Sequence, residues 1–120
     1  MTMTPGTIDG YSFGRMTIRG KEYTSDLVIH ADGRIQDGWW RAAGHRLVPE
    51  DITAILDSAP SKLVIGTGAD GLMKVAAGVL ELCRERGIEV EAWRTAEAVR
   101  RYNREAKQGR RVAACFHLTC

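Results

Sequence analysis

The chain lacks most of the features that would commit it to a membrane, a secretory route or a familiar reaction. No apolar run approaches the roughly 20 residues that span a bilayer. The stretch MTMTPGTIDG has neither the basic start and apolar core of a signal peptide nor the Arg-rich pattern of a transit segment. Three cysteines, Cys83, Cys115 and Cys120, form no CxxC and no disulfide-framework spacing, which points to a reducing compartment. The expected location is cytoplasmic. A net charge of +2 does not by itself call for nucleic acid or a membrane surface. No serine sits in an elbow motif, so Ser-His-Asp chemistry has nothing to work with. There is no linker, repeat or low-complexity tract. The 120 residues therefore suit one domain over 1–120, able to bury roughly two-thirds of its unfolded surface.

What is present reads as two halves of that domain. The first half predicts short antiparallel strands at 11–18 and 22–25 around Gly20, and at 27–30 and 34–36 around Asp32-Gly33. Asp-Gly between alternating segments is a hairpin signal, because the tight turn needs positive φ at both central residues. Pro49 opens a short helix over 49–57. The second half alternates strand and helix: strand 62–65, helix 72–86, strand 88–93, helix 95–107 with Thr95 as its cap, and strand 111–118. Strands alternating with helices predict an α/β fold with a mixed, mainly parallel sheet and an N-terminal β-hairpin layer against it.

The stretch KLVIGTGADG, residues 62–71, carries Gly66-x-Gly68-x-x-Gly71 after a strand and before the expected helix. That is the pattern of a dinucleotide-binding turn, and Glu91 stands where a ribose-binding acid would sit. Three features oppose it. Asp70 would cap the helix start and repel a pyrophosphate. Glu89 and Glu91 make one face of the next strand polar, unlike a fully covered parallel strand. Only about 50 residues follow Gly71, too few for a substrate domain. A structural turn lining a small cleft is the expectation, with no cofactor.

Other constellations are thinner. His45 reads first as a loop-holding histidine and second as a base or ligand. Cys115-x-His117-x-x-Cys120 lacks the fourth ligand and turn-borne pair of a structural zinc site, so no metal is expected. Thr67 is the one hydroxyl well placed at a strand end. Trp39 and Trp40 would point to opposite faces of a strand, one inward and one outward, and an outward Trp beside Arg41 suits a protein interface. The basic stretch 94–111, including Arg101 and Arg104, would suit phosphate or an acidic partner. Its arginines, however, can pair with Glu97 and Glu105 four residues away, and no aromatic residues interleave as a single-strand binder would want, which argues against nucleic acid.

The motifs Tyr11-x-Phe13-Gly14, Tyr23-x-x-Asp26, Trp40-Arg41 with Gly44-His45, and Val64-Ile65-Gly66-Thr67-Gly68 follow one another along the chain. Thr95-x-x-Ala98 with Tyr102-Asn103, and Val112-Ala113-Ala114 with His117-Leu118-Thr119-Cys120, complete the set. In order and spacing this set resembles the small Mth-type single-domain family. Its members include the adipogenesis-associated Mth-domain protein and mitochondrial complex I assembly factor 3. The resemblance implies a three-layer fold: a central mixed sheet, helices on one side, a β-hairpin unit on the other. It does not supply an enzyme activity and carries over no cofactor role for the glycine turn; the mitochondrial relative acts as a non-catalytic assembly partner for a respiratory complex. The leading expectation is thus a non-enzymatic binding or assembly module with a protein partner, contacting it through Trp39 or Trp40, Arg41, Arg101 and Arg104. The second is a site for a small anionic molecule or nucleotide phosphate, catalytic or not. Gly66, Thr67 and Gly68 would form its floor, with His45 and Thr95 beside it.

Overall fold

The computed structural model describes residues 7–42 and 44–120, so the readings of 1–6 and of Ala43 lie outside the described residues. The chain begins with a three-stranded antiparallel sheet, β1 (Ile8–Ser12), β2 (Arg15–Ile18) and β3 (Lys21–Tyr23). The strand expected over 11–18 is therefore two strands, because Phe13-Gly14 closes a hairpin between the paired Ser12 and Arg15. The tight turn with positive φ at both central residues occurs at Arg19-Gly20, with φ of 51° and 80°. This twist matches the two flanking strands, and glycine takes half of it without steric cost.

β4 (Leu27–Ile29) and β5 (Ile35–Asp37) form the expected second hairpin. Its turn differs from the expectation: only Gly33 has positive φ, and its N–H donates to the His30 carbonyl at 2.9 Å while the His30 N–H donates to Arg34. That is a three-residue loop with a bulge rather than a two-residue turn. Next come β6 (Arg46–Leu47), a single 3₁₀ turn at Pro49–Asp51, and α1 (Thr53–Asp57), so the helix expected over 49–57 is interrupted at Ile52. β7 (Lys62–Gly66), β8 (Lys74–Val75), α2 (Ala77–Glu85), β9 (Glu89–Trp93), α3 (Thr95–Lys107) and β10 (Val112–Phe116) complete the order.

The main sheet runs β5-β4-β10-β7-β9. β10 is parallel to β7 and β7 to β9, while β4 is antiparallel to both β10 and β5. The sheet is mixed, as expected, but evenly divided rather than mainly parallel, because the β4–β5 hairpin extends it beyond β10. β7 and β10 are buried along their whole length, as central parallel strands covered on both faces must be.

Helix α2 begins at Ala77, five residues later than the periodicity of Leu72, Val75 and Ala76 predicts. The segment before it is extended. Lys74 and Ala76 donate their N–H groups to the His45 and Leu47 carbonyls, and Met73 donates to Thr67. The glycine turn therefore opens into a strand, not a helix.

Two apolar layers flank the sheet. On one face Leu63, Ile65, Ala113 and Cys115 pack under Ile52 and under Ile55, Leu56, Val79 and Cys83 from α1 and α2. On the other, Val64, Val112, Ala114 and Phe116 meet Ala98, Val99, Tyr102 and Ala106 of α3 together with Ile8, Met16 and Ile18 of the N-terminal sheet. Three layers are present, but the helices are not confined to one side as the resemblance implies. The hairpin layer shares its side with α3, and α1 and α2 hold the opposite side.

Candidate functional site

β7, β9 and β10 all end at one rim of the sheet, where open α/β sheets place their ligands. The turn from Gly66 to Leu72 lies there, and segment 118–120 lies against it. The Ala69 N–H donates to Thr119 O at 2.7 Å, and the Leu72 N–H to Cys120 O at 3.1 Å. The Thr67 N–H goes to Trp93 O, the Gly71 N–H to Gly68 O, and the Gly68 N–H to the Thr95 hydroxyl at 2.9 Å. These amide groups, which a phosphate would have to recruit, are all paired within the chain. The glycines follow from crowding. A Cβ on Gly66 would stand 2.7 Å from the Phe116 ring, and one on Gly68, where φ is +107°, would stand 2.8 Å from Thr119 O and collide with the Cys120 backbone.

Thr95 is fully buried and does not cap α3; Arg94 takes the cap position. Its hydroxyl instead donates to His117 O at 2.7 Å while accepting from Gly68, joining β10, the glycine turn and α3. The Thr67 hydroxyl donates to Trp93 O at 3.0 Å. Gly66, Thr67, Gly68 and Thr95 thus converge, as the sequence suggested, but on one another. Asp70 is exposed in the turn and caps no helix. Glu91 is also engaged elsewhere: it accepts from the Trp93 indole and lies 2.9 Å from Lys62 Nζ, a buried ammonium that also meets Glu89 and Glu105. Burial alone would push Lys62 down, but these carboxylates outweigh it and hold its pKa above the ordinary value. Glu105 consequently faces Lys62 and Arg110 rather than Arg101.

Beside the turn lies a charged network. Asp26, just before β4, accepts the Leu118 N–H on Oδ1 at 2.8 Å. Its Oδ2 lies 2.8 Å from His117 Nδ1 and 2.8 Å from Arg41 Nη1; the latter contact lies off the hydrogen-bond line and is an ion pair. Arg41 Nε and Nη2 donate to Gly44 O at 3.1 and 2.8 Å, and the guanidinium lies 4.9 Å over the Trp39 ring. His117 Nδ1 is also 3.2 Å from Arg41 Nη2. A guanidinium only donates and a carboxylate only accepts, so Nδ1 stands between a donor and an acceptor, with the shorter contact to Asp26. Nε2 is buried without a hydrogen-bond partner, and the ring meets His45 edge-on at 5.5 Å between centroids. No hydroxyl or thiol among the described residues hydrogen-bonds to it. The Asp–His pair has the orientation of a catalytic base without a nucleophile to activate. With Arg41, it ties the start of β4, the end of β10 and the backbone at Gly44 into one rim. Burial would raise the Asp26 carboxyl, but the Leu118 N–H, His117 and Arg41 outweigh that and lower it.

One tryptophan points inward and one outward, although the segment that carries them is not a strand. Trp39 is buried, its indole donating to Asp51 O at 3.3 Å, whereas Trp40 is 78% exposed. Arg41 is buried in the network, Arg101 stacks on Trp93 at 4.2 Å and pairs with Glu97, and Arg104 is exposed. His45 is exposed at the rim. Sequence reasoning missed Asp26 and His117 as partners of Arg41, and missed Phe13 and Trp93 as exposed rim residues. Three separate motifs, Tyr23-x-x-Asp26, Trp40-Arg41 and His117-Leu118, each held one member of the network. Nothing in a single chain pairs residues 91 positions apart. Among the described residues no group of three or more His, Cys, Asp or Glu side chains is placed to hold a metal.

These features define a three-layer α/β domain whose sheet end is closed by its own chain. The chain belongs to the family of proteins of unknown function DUF498/DUF598, whose model matches residues 8–117. This is the Mth-type family of the sequence resemblance. An uncharacterized protein of Rhodobacter capsulatus is 31% identical over 111 residues, 91% of this chain and 82% of its own length. The solved structure MT938 is 30% identical with a TM-score of 0.82, over 96% of this chain and 99% of that one. A conserved hypothetical protein from Pyrococcus horikoshii is similar at 29% identity and a TM-score of 0.83, over 94% and 98%. A Mth938-like domain of Bordetella pertussis shares the fold alone, at 19% identity and a TM-score of 0.69, over 98% and 89%.

Proposed function

We propose that this chain is a non-enzymatic protein-binding module of the kind used in assembling complexes, and that its partner sits on the rim where β7, β9 and β10 end. The observation that carries this reading is the placement of exposed apolar side chains. Five large hydrophobic residues are exposed among the described residues: Phe13 62%, Trp40 78%, Leu72 49%, Leu80 42% and Trp93 37%. Four of them belong to this rim. Phe13 precedes Gly14, whose N–H donates to Leu118 O; Leu72 donates to Cys120 O; Trp93 ends β9; Trp40 follows Trp39, whose N–H donates to Asp26 O. Clustered apolar exposure ringed by polar groups marks contact surfaces, and Trp is enriched at their energetic centres. A buried arginine beside Trp40 further supports the reading, because Arg41 fixes the loop that presents the indole. A ligand floor made of Gly66, Thr67 and Gly68 has less support, since their hydrogen-bonding groups are already used.

The test is site-specific photocrosslinking in the cell of origin, with benzoylphenylalanine replacing Trp40, Phe13 or, as a control on α2, Leu80. The expected result is one discrete protein adduct shared by positions 40 and 13 and absent at 80. Equal adduct patterns at all three positions, or none at 40 and 13, would contradict the proposal.

A further inference from the structure

A groove of about 460 Å³ runs along the outward side of α3, lined by Arg100, Asn103, Arg104, Lys107 and Gln108. Its lining holds three cations and no carboxylate, against a net charge of +2 for the whole chain. Glu97, one turn before Arg100, is divided between Arg100 at 2.7 Å and Arg101 at 2.9 Å. Neither Arg104 nor Lys107 has an acidic partner among the described residues. Neighbouring basic residues are used differently. Arg101 lies over Trp93, Arg110 reaches Glu105, and Arg111 donates to the Ala59 carbonyl. Cations in a last helical turn stabilise the helix dipole wherever they point. These differ in lining a groove beside Asn103, whose amide is held in place by accepting the Ile8 N–H at 2.7 Å and donating to Ile8 O at 2.9 Å.

We propose that this groove receives an acidic segment of the same protein partner, with carboxylates repeating at helical spacing. The inference rests on the protein-binding reading above and names the chemistry of the partner. Arg100, Arg104 and Lys107 occupy one stripe of α3 at four- and three-residue steps, spanning about 10 Å, so glutamates at similar steps on a facing helix would meet them in turn. α3 starts at the rim and runs away from it, so one partner can cover Trp93 and continue along the groove. Protein is favoured over nucleic acid because no aromatic ring lines the groove for bases to stack on.

The test uses the full chain and a fluorescein-labelled helical peptide with glutamate at every fourth position, read by fluorescence anisotropy at low and physiological salt. A peptide with glutamine at those positions and a single-stranded oligonucleotide serve as comparisons. Salt-sensitive binding of the glutamate peptide is expected, weakened at least about tenfold by Arg104→Glu with Lys107→Glu. It should be kept by Lys74→Glu with Arg84→Glu, which changes the net charge equally elsewhere. Arg104→Gln with Lys107→Gln should give a smaller loss in the same direction. Absence of glutamate-peptide binding, an equal loss in the Lys74/Arg84 variant, or tighter oligonucleotide binding through the same residues would each overturn the inference. An adduct at position 40 that persists at full yield in the Arg104→Glu, Lys107→Glu variant would overturn it too, while leaving the protein-binding reading in place.

Discussion

Gly68→Asp is expected to unfold the protein or destabilise it by about 3 kcal/mol or more. Two costs add. A non-glycine residue in this left-handed region costs about 1–2 kcal/mol, and forcing atoms into a packed site costs about 1–3 kcal/mol more. The second cost arises because the new Cβ would meet the Cys120 backbone and Thr119 O at 2.8 Å, and backbone cannot turn aside as a side chain can. Gly87→Ala separates the terms. Gly87 also has positive φ, +69°, but nothing lies within 4 Å of the added Cβ, so only the conformational cost of about 1 kcal/mol applies. Equilibrium urea unfolding of both variants measures the difference. Gly68→Asp folding as stably as Gly87→Ala would mean that segment 118–120 does not pack on the turn.

Asp26→Ala should be nearly as damaging, at about 3–5 kcal/mol, because it strands the Arg41 guanidinium in a buried position. Arg41 is 6% exposed in its side chain and Asp26 17%, so water screens the pair little. Arg41→Met should also destabilise, and the double variant should lose much less than the sum of the two, since each single change already breaks the same network. A pH dependence follows from the lowered Asp26 carboxyl. Its folded pKa lies below the unfolded value of about 3.9, so its contribution is fully present above that value and disappears as pH falls through the folded pKa. Glu91, Asp32 and Glu97 are lowered as well, so the wild type weakens in acid for several reasons. Asp26→Asn removes one of them. Its urea midpoint should therefore fall less than that of the wild type between about pH 7 and pH 3. Parallel pH profiles for the two would show that Asp26 carries no such linkage.

Much of the architecture was legible because it rests on local chemistry. β7, α3 and β10 follow from apolar runs, helical periodicity and glycine stops. The β4–β5 hairpin follows from Asp32-Gly33, although the turn type did not, since loop length is set by strand register. The periodicity misplaces the start of α2, because Leu72, Val75 and Ala76 fit a helical face while the backbone of Leu72 bonds to Cys120 and that of 74–76 pairs along β6, and tertiary pairing overrides local period. That shift removes the strongest argument for a cofactor, because Gly66-x-Gly68-x-x-Gly71 loses the helix N-terminus that would hold phosphate. The acidic strand made sense only in three dimensions. β9 lies at the sheet edge, and Glu89 and Glu91 answer the buried Lys62. The outward tryptophan was expected from alternation, but its assignment to Trp40 required knowing which face of the loop meets α1 and Asp51. The network of Asp26, Arg41 and His117 is long-range throughout and leaves no local trace.

The central claim is that the rim is closed by the chain's own backbone and serves as a contact surface rather than a ligand floor. The most direct measurement is the amide spectrum of the isotope-labelled protein. Exchange would be followed first, and then resonance positions on adding a nicotinamide dinucleotide, a mononucleotide or inorganic phosphate. The Ala69 and Leu72 N–H groups should exchange slowly, matching β7, and the resonances should stay in place through each titration. Rapid exchange at these two amides, or saturable movement of Gly68, Ala69 and Leu72 with any of those ligands, would contradict the central claim and make KLVIGTGADG a binding turn.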